Sequence, residues 1–118
     1  MPKVKVSRRA AADIKDIKKF SIDRWGEKTA TGYLESIEQA LVRLGEDPEV
    51  LKSKEGCSPH FGFCRVRKHF IVATIIGDNI YILTVKHGAM DLPSIIGELE
   101  PQLLVEAKLL DQRLRKNQ

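Results

Sequence analysis

Two stretches in the first half of the chain repeat apolar residues every three or four positions, which is the spacing of one helix face. The stripe in residues 8–24 has four members: Ala10, Ile14, Ile17 and Ser21. Ser7 stands directly before this stretch, where its hydroxyl can cap the first turn. Gly26 follows the stretch and suits a left-handed position just beyond a helix end, because it has no Cβ to clash there. The pattern therefore predicts a first helix over residues 8–24.

A second helix is predicted over residues 27–45. Its apolar positions follow a 4-3-4-3 spacing: Ala30, Leu34, Ile37, Leu41 and Leu44. Gly45 and Pro48 are expected to end it. Two amphipathic helices with so short a break between them form an antiparallel hairpin, whose apolar seam must be covered. Trp25 and Tyr33 flank the break and are predicted to belong to the core.

After a loop over residues 46–59, the period of the pattern changes from 3.6 to 2, which indicates strands. Strands are predicted over residues 61–67, 70–76 and 80–85, and a short one over residues 4–6. The sequence Gly77-Asp78-Asn79 is a hairpin turn signal. The three longer runs are expected to form a twisted antiparallel meander on the helical hairpin, with residues 4–6 as an added edge.

The last part of the chain is predicted to be helical from Pro93. Pro101 is expected to interrupt this stretch and to begin a new helix over residues 101–116. Its apolar stripe is Leu103, Ala107, Leu110 and Leu114. This stripe should pack on the same domain or join two chains as a homodimer. The predicted class is α+β, with an N-terminal helical hairpin packed on a twisted antiparallel β-sheet and a C-terminal helix. Residues 1–92 form the main domain and residues 93–118 the C-terminal helical extension.

The composition fits one domain that folds without disulfide or metal, since the chain has 118 residues of which 42% are hydrophobic. The two cysteines, Cys57 and Cys64, lack C-x-x-C spacing, and reduced thiols are favoured over a zinc site with His60 and His69. The N-terminus lacks the apolar segment of a signal peptide, and no run approaches the ~20 apolar residues of a membrane span. We expect a cytoplasmic protein with no membrane association, metal or cofactor.

Charge adds a hint about the partner. The net charge is +4 and the pI about 9.2, with an excess of +5 in residues 1–26 and of −3 in residues 27–56. Residues 57–91 carry +2 and residues 92–118 carry none. A basic face is expected if the two basic regions meet in the fold, which suits a macromolecular partner, although a well-solvated surface explains the same charges.

The most informative polar cluster lies at the turn between the first two strands of the predicted meander. It comprises five residues predicted to bind a target: Arg65, Arg67, Lys68, His69 and Lys86. The two arginines are expected to share a sheet face, and Lys68 and His69 to lie at the turn. Adjacent donors of this kind suit phosphate or carboxylate groups, whereas the alternative is a charged strand that resists aggregation. His87, at the end of the last strand, can bind neighbouring backbone groups or act as a general acid or base.

Four segments, in this order, resemble the RelE/ParE superfamily of bacterial toxins from type II toxin–antitoxin modules. They are VKVSRRAAADIKDIKKF, the W-G-x-x-x-A-x-x-Y helix WGEKTATGYLESIEQALVRL, the Arg-rich CRVRKHFIV, and the strand end ILTVKHGAMDL. The resemblance covers residues 4–92. Gly62 and Ala89 stand where family members often carry arginine, and Ala73 where an aromatic residue is usual.

The resemblance implies the fold, a growth-inhibiting toxin of the kind found in plasmid stabilization modules, and a cognate antitoxin whose disordered segment folds onto the toxin. ParE-type members poison DNA gyrase, whereas RelE-type members cut messenger RNA on the ribosome. The chain has neither Tyr nor Arg between His87 and Arg113, so the RelE-type catalytic tail is missing and the ParE-like function is favoured. No enzymatic activity is then expected. The alternatives are a ribosome-dependent endoribonuclease with His87 as acid or base, and a degenerate, non-toxic member.

Overall fold

Seven helices and strands and one short 3₁₀ turn follow one another in the computed structural model, which describes residues 3–116. They are β1 (Val4–Val6), α1 (Arg8–Trp25), α2 (Glu27–Glu46), the 3₁₀ turn (Pro48–Val50), β2 (Gly62–Val66), β3 (His69–Ile76), β4 (Asn79–His87) and α3 (Leu92–Lys116). The predicted α+β class is confirmed. Within the described part of the chain, no helix is long and apolar enough to cross a membrane.

Ser7 fixes the start of α1 and ties it to the sheet. Its Oγ accepts a hydrogen bond from the Ala10 N–H at 3.0 Å and donates one to the Leu83 carbonyl at 3.1 Å. Its own N–H donates to the Ile82 carbonyl at 2.9 Å. At the other end, Gly26 has φ 90° and ψ 168°, a backbone conformation that glycine alone adopts readily. The expected cap and helix end are confirmed, and three members of the stripe are buried: Ala10, Ile17 and Ser21.

The face that α2 buries is rotated slightly from the predicted one. Its buried residues are Ala30, Tyr33, Ile37, Ala40 and Leu44. Leu34 and Leu41 are only partly buried, because the face that includes Tyr33 and Ala40 points at the sheet. α2 ends at Glu46, between Gly45 and Pro48, the two residues expected to end it. A Cβ on Gly45 would lie 3.4 Å from Val4 Cγ2, so this glycine allows close packing on β1.

The four strands form one sheet in the order β1-β4-β3-β2. β2, β3 and β4 make the predicted antiparallel meander, and β1 is the predicted edge. β1 nevertheless pairs parallel to β4, with Val4 opposite Ile80 and Val6 opposite Ile82, so the sheet is mixed and not wholly antiparallel. The helical hairpin and two strands separate β1 from β4 along the chain. No tight turn therefore forces the antiparallel direction on this pair.

Each face of the sheet carries its own core. The core between the sheet and the helical hairpin includes Ile37, Leu44, Ile71 and Ile82. The core on the opposite face lies under α3 and contains these residues: Phe61, Phe63, Val72, Tyr81, Leu83, Ile96, Leu103 and Ala107. The sheet is thus covered on both faces, which matches the near-continuous apolar runs of β3 and β4.

The expected break at Pro101 is wrong, because α3 runs through it as a single helix from Leu92 to Lys116. Proline inside a helix removes one backbone hydrogen bond and costs about 3 kcal/mol. Ile96 before it and Leu103 after it are both buried in the same core, with 1% and 0% of their surface exposed. Burial of large side chains on both sides contributes roughly 1.5–3 kcal/mol each, which is enough to offset the break.

Polar contacts fix α3 at two points. Arg9 on α1 donates to both carboxylate oxygens of Glu106 at 3.0–3.2 Å, and this bond raises the pKa of Arg9. Further along, the buried carboxylate of Asp111 accepts from Tyr81 Oη at 2.7 Å and from Arg115 Nε at 2.9 Å. The bond from Tyr81, followed by the one from Arg115, lowers the pKa of Asp111. Burial and the adjacent carboxylate raise the pKa of Tyr81 to about 12.

Candidate functional site

The turn between β2 and β3 consists of Arg67 and Lys68, as predicted for Lys68. The turn position predicted for His69 is wrong, because His69 is the first residue of β3. Arg67 has φ 53°, a left-handed conformation that is uncommon for a residue with a side chain. Its guanidinium donates to Ser36 Oγ at 3.0 Å and to the Gly32 carbonyl at 3.3 Å, and lies 5.2 Å from the centre of the Tyr33 ring. The expectation that Arg67 shares a sheet face with Arg65 is wrong, because Arg67 has left the strand and fastens the turn to α2.

Tyr33 connects the same turn to the start of β3. Its hydroxyl accepts a hydrogen bond from the Lys68 N–H at 3.2 Å and forms a second bond with Nδ1 of His69. The Tyr33 and His69 rings pack edge to face, with centroids 5.3 Å apart. Burial, followed by the nearby His87, lowers the pKa of His69. His69 is therefore a neutral imidazole near pH 7, and its tautomer decides which of Tyr33 and His69 donates in their shared hydrogen bond.

His87 closes this cluster at the end of β4. Its ring packs edge to face on His69 with centroids 5.0 Å apart, and its Nδ1 accepts from the Ala89 N–H at 3.0 Å. The next residue, Gly88, donates its N–H to the Lys68 carbonyl at 2.7 Å. The sequence allowed both ring nitrogens to bind backbone groups, whereas the structure shows one such bond. In the neutral ring the proton then lies on Nε2. Because the His87 ring is exposed, Nε2 can donate a hydrogen bond to a bound molecule.

Arg65 and Lys86 lie on the other side of the hairpin, around Phe70. Arg65 pairs with Phe70 across β2 and β3, and Phe70 pairs with Lys86 across β3 and β4. The Arg65 guanidinium lies 5.6 Å from the centre of the Phe70 ring, and the Lys54 ammonium 4.6 Å from it. The Arg65 Nε also donates to the Arg67 carbonyl at 2.9 Å. The five predicted binding residues are thus close along the hairpin but divided between its two sides.

A cleft of about 290 Å³ opens between the helical hairpin and the β2–β3 turn. We call it the aromatic cleft, and these residues line it: Asp16, Ile17, Phe20, Ser21, Trp25, Tyr33, Lys68, His69 and His87. Phe20 and Trp25 pack edge to face with centroids 5.7 Å apart, and each is about half exposed. The prediction of a core position was right for Tyr33 and wrong for Trp25, because α1 ends at Trp25 and the hairpin no longer shields it.

Sequence reasoning missed Phe20, which belongs to no buried stripe of α1. The available signal was a large aromatic residue off the predicted inner face, five positions before Trp25. Residues five apart on a helix do not share a stripe, but a helix end lets the last side chain fold back. A pair of aromatic residues near a glycine break therefore indicates a surface feature.

The thiols and carboxylates do not converge on a site. Cys57 and Cys64 are both free, and burial raises the pKa of each thiol. Among residues 3–116, no three His, Cys, Asp or Glu side chains lie close enough together to hold a metal ion. The chemistry of the site therefore lies in its aromatic rings, its two imidazoles and its basic side chains.

Comparisons with known proteins match most of the chain. A family model described as the ParE toxin of type II toxin-antitoxin system, parDE, matches residues 4–92. Toxin ParE1 of Caulobacter vibrioides is 28% identical over 97 residues, which cover 82% of this chain and all of that protein. The chromosomal ParDE TA system from P. aeruginosa aligns with a TM-score of 0.66 and 20% identity, over 74% of this chain and 96% of that one. A copper-bound mutant toxin from Helicobacter pylori aligns with a TM-score of 0.50 and 14% identity, over 74% and 94%.

Proposed function

Because the chain belongs to the ParE toxin family of type II toxin–antitoxin systems, we propose that it arrests bacterial growth by binding DNA gyrase in the cytoplasm. The observation that carries the proposal is the family match over residues 4–92, which includes the helical hairpin and all four described strands. A cognate antitoxin is the expected partner that neutralises it. The chain then works by binding and not by catalysis.

The exposed cations of the hairpin are the natural contacts for the target. Arg65 and Lys68 are exposed and Lys86 is partly exposed. Among residues 3–116, none of the three forms an ion pair with a carboxylate. Cations that are unpaired in the free protein lose little when they meet an acidic partner, and they raise the rate of encounter. These three residues are the target contacts of the proposal.

Arg67 and His69, the other two predicted contacts, have structural roles in the same surface. Arg67 uses its guanidinium on Ser36 and Gly32, and His69 uses Nδ1 on Tyr33. Both hold the turn in the conformation that presents Lys68. Their substitution is expected to act through the shape of the turn. Substitution of Lys86 removes charge alone, whereas substitution of Arg65 also removes its bond to the Arg67 carbonyl in the turn.

The test is a supercoiling assay with purified gyrase and purified chain. We expect inhibition by the wild type, with roughly two- to fivefold weaker inhibition for each of Arg65→Ala, Lys68→Ala and Lys86→Ala, as for exposed charge contacts. The losses should shrink as salt is raised, because exposed charges are screened. Lys108→Ala, an exposed cation on α3, is the matched control and should inhibit like the wild type.

Cell-free translation is run beside the supercoiling assay. If the chain stops translation while gyrase remains active, the gyrase proposal is wrong. Messenger cleavage that disappears in a folded His87→Gln variant would show an endoribonuclease, because removal of an acid or base group lowers the chemical step about 100- to 10,000-fold. Normal growth during expression without antitoxin, with folded protein present, would show a non-toxic member.

A further inference from the structure

The outer face of α3 carries a stripe that the fold leaves uncovered. The inner face of this helix is buried against the sheet, where Leu103 is 0% and Ala107 is 1% exposed. On the opposite face, Val105 is 51% and Leu109 is 47% exposed. Exposed residues continue this face in both directions along the helix. We call the whole row the outer stripe of α3, and it consists of these residues: Glu98, Gln102, Val105, Leu109, Gln112 and Lys116.

The spacing within the outer stripe is that of a coiled-coil seam. Its members follow one another at intervals of four, three, four, three and four residues, the repeat with which two helices pack side by side. The two apolar members, Val105 and Leu109, lie at the centre of the stripe, and the polar members lie towards its ends. The stripe is narrow and roughly 27 Å long, so another helix fits it better than a small ligand does.

The outer stripe is complementary to a reversed copy of itself. When a second α3 lies antiparallel to the first, the intervals of the two stripes coincide. Each layer then joins residues of matching chemistry: Val105 with Leu109, Gln102 with Gln112, and Glu98 with Lys116. Every layer occurs twice, because a contact between two identical copies is symmetric. A parallel copy would instead place Glu98 beside Glu98 and Lys116 beside Lys116, which like charges disfavour.

The charges at the two ends of the stripe find no partner within one copy. Glu98 and Lys116 lie roughly 27 Å apart along the helix, which is too far for an ion pair. Among residues 3–116, neither side chain forms an ion pair with any other. The stripe also carries no net charge, whereas the whole chain carries +4. Two copies can therefore approach through this stripe with less repulsion than through their basic surfaces.

We infer that two copies of this chain associate through the outer stripe of α3, with the two helices antiparallel. The contact goes beyond the proposed function, because almost all of α3 follows residues 4–92, which the family model matches. Each copy contributes only two apolar residues to the centre, so the contact is small and the dimer is transient. We expect half of the chains to be paired at a concentration on the order of 100 µM.

Sedimentation equilibrium of the full chain tests the association, from about 10 µM to about 1 mM, a range that includes the expected midpoint. The mean mass should rise with concentration from 13.3 kDa towards twice that value. Leu109→Gln should weaken association about tenfold, because it places an amide in both central layers. Val42→Gln is the matched control, at a residue that is 57% exposed on α2, and it should associate like the wild type.

The two end charges test the direction of the helices. Glu98→Lys and Lys116→Glu should each weaken association roughly fivefold, because each variant places like charges in two layers. The double variant should associate like the wild type, since every acid again faces a base. An equimolar mixture of the two single variants should also associate like the wild type, for the same reason. Circular dichroism of each variant shows that the fold is intact.

Three results would each overturn the inference. The first is the mass of a single chain at every concentration up to about 1 mM. The second is association that Leu109→Gln leaves unchanged, which would place the contact on another surface. The third is a double variant that stays as weak as the single ones, or single variants that associate like the wild type, since either result contradicts antiparallel pairing. Gyrase is absent from this assay, so failure here leaves the gyrase proposal standing, and failure of the supercoiling assay leaves the dimer standing.

Discussion

The two hairpin turns lie at opposite ends of β3 and have nearly the same backbone angle but different side-chain chemistry. Gly77, at the turn between β3 and β4, has φ 60°, and Arg67, at the turn between β2 and β3, has φ 53°. Glycine adopts this conformation without strain, whereas arginine does so at a cost of about 1 kcal/mol or more. The chain thus uses the unstrained residue at one end of the sheet and tolerates strain at the other, where the side chain has contacts to make.

The same contrast holds for the two buried tyrosines. At the end of the sheet near Gly77, the closed end, Tyr81 bonds to Asp111 beneath α3, and Arg115 completes the network. At the end near Arg67, the open end, Tyr33 bonds to His69 beside the aromatic cleft. The complete burial of Tyr81 indicates that the closed end serves stability. The open end has exposed aromatic rings and cations that form no ion pair within residues 3–116, which fits the binding role proposed for it.

The largest expected effect is at the core of the closed end. Leu103 is fully buried under α3, so Leu103→Ala should lower the free energy of unfolding by about 2–5 kcal/mol. Leu109 lies on the same helix but is 47% exposed. Leu109→Ala should therefore change the free energy of unfolding by less than about 0.5 kcal/mol. Urea denaturation of the full chain measures both. Equal losses would mean that α3 does not hold the packed position against the sheet.

Removal of each tyrosine hydroxyl compares the two ends directly. Tyr33→Phe breaks bonds to neutral partners, which contribute about 1 kcal/mol each. Tyr81→Phe breaks a bond to a carboxylate, and such bonds are roughly twice as strong. Tyr33→Phe loses two of the weaker bonds and Tyr81→Phe loses one of the stronger. We therefore expect the thermal midpoint to fall by about the same amount in the two variants. A larger loss from Tyr33→Phe would place the more stabilising network at the open end.

The two ends should also respond to pH in different ranges. The pKa of His69 is lowered in the fold from its usual 6.5, so the unfolded chain binds more protons as the pH falls. The stability that neutral His69 contributes is thus present above pH 6.5 and is lost as the pH falls below it. The pKa of Tyr81 is raised from 10 to about 12, so its contribution is lost as the pH rises between these values.

Urea midpoints between pH 5 and 8 isolate the open end. We expect the wild type to lose stability below pH 6.5 and His69→Gln to show a flatter profile. His60→Gln, at an exposed histidine, is the control and should keep the wild-type profile. A profile for His69→Gln that is as steep as the wild type's would show that His69 is not held in its neutral form.

Most of the fold follows from local patterns, whereas the site depends on how elements meet. The cap at Ser7, the glycine break and the antiparallel meander were predictable, because each rests on neighbouring residues. The direction of β1 and the continuity of α3 through Pro101 could not be predicted, since both depend on packing between residues that are far apart in the sequence. The exposure of Trp25 was missed for the same reason, because spacing shows which side of a helix is apolar but not where its partner ends.

The division of the basic cluster could not be predicted either. Alternation along a strand placed Arg65 and Arg67 on one face, and this fails when the strand ends between them. The chain ends β2 at Val66 because the following residue takes the positive φ of a two-residue turn, which arginine rarely does. Only the contacts of Arg67 with α2 explain why arginine stands there.

The smallest expected effect is at Arg67, and it follows from two opposing contributions. Arg67→Gly relieves a positive φ that costs a non-glycine residue about 1 kcal/mol or more. It also removes the bonds to Ser36 and Gly32, which are exposed and contribute about 0.5–1.5 kcal/mol. The free energy of unfolding should therefore change by less than about 0.5 kcal/mol. At the other turn nothing offsets the strain, so Gly77→Ala should lose about 1 kcal/mol. If the near-neutral Arg67→Gly variant still inhibits gyrase more weakly than the wild type, the arginine serves binding through the shape of the turn and adds little to stability. A loss of several kcal/mol would show instead that the side chain is a structural fastener, and the contrast between the two turns would no longer separate binding from stability.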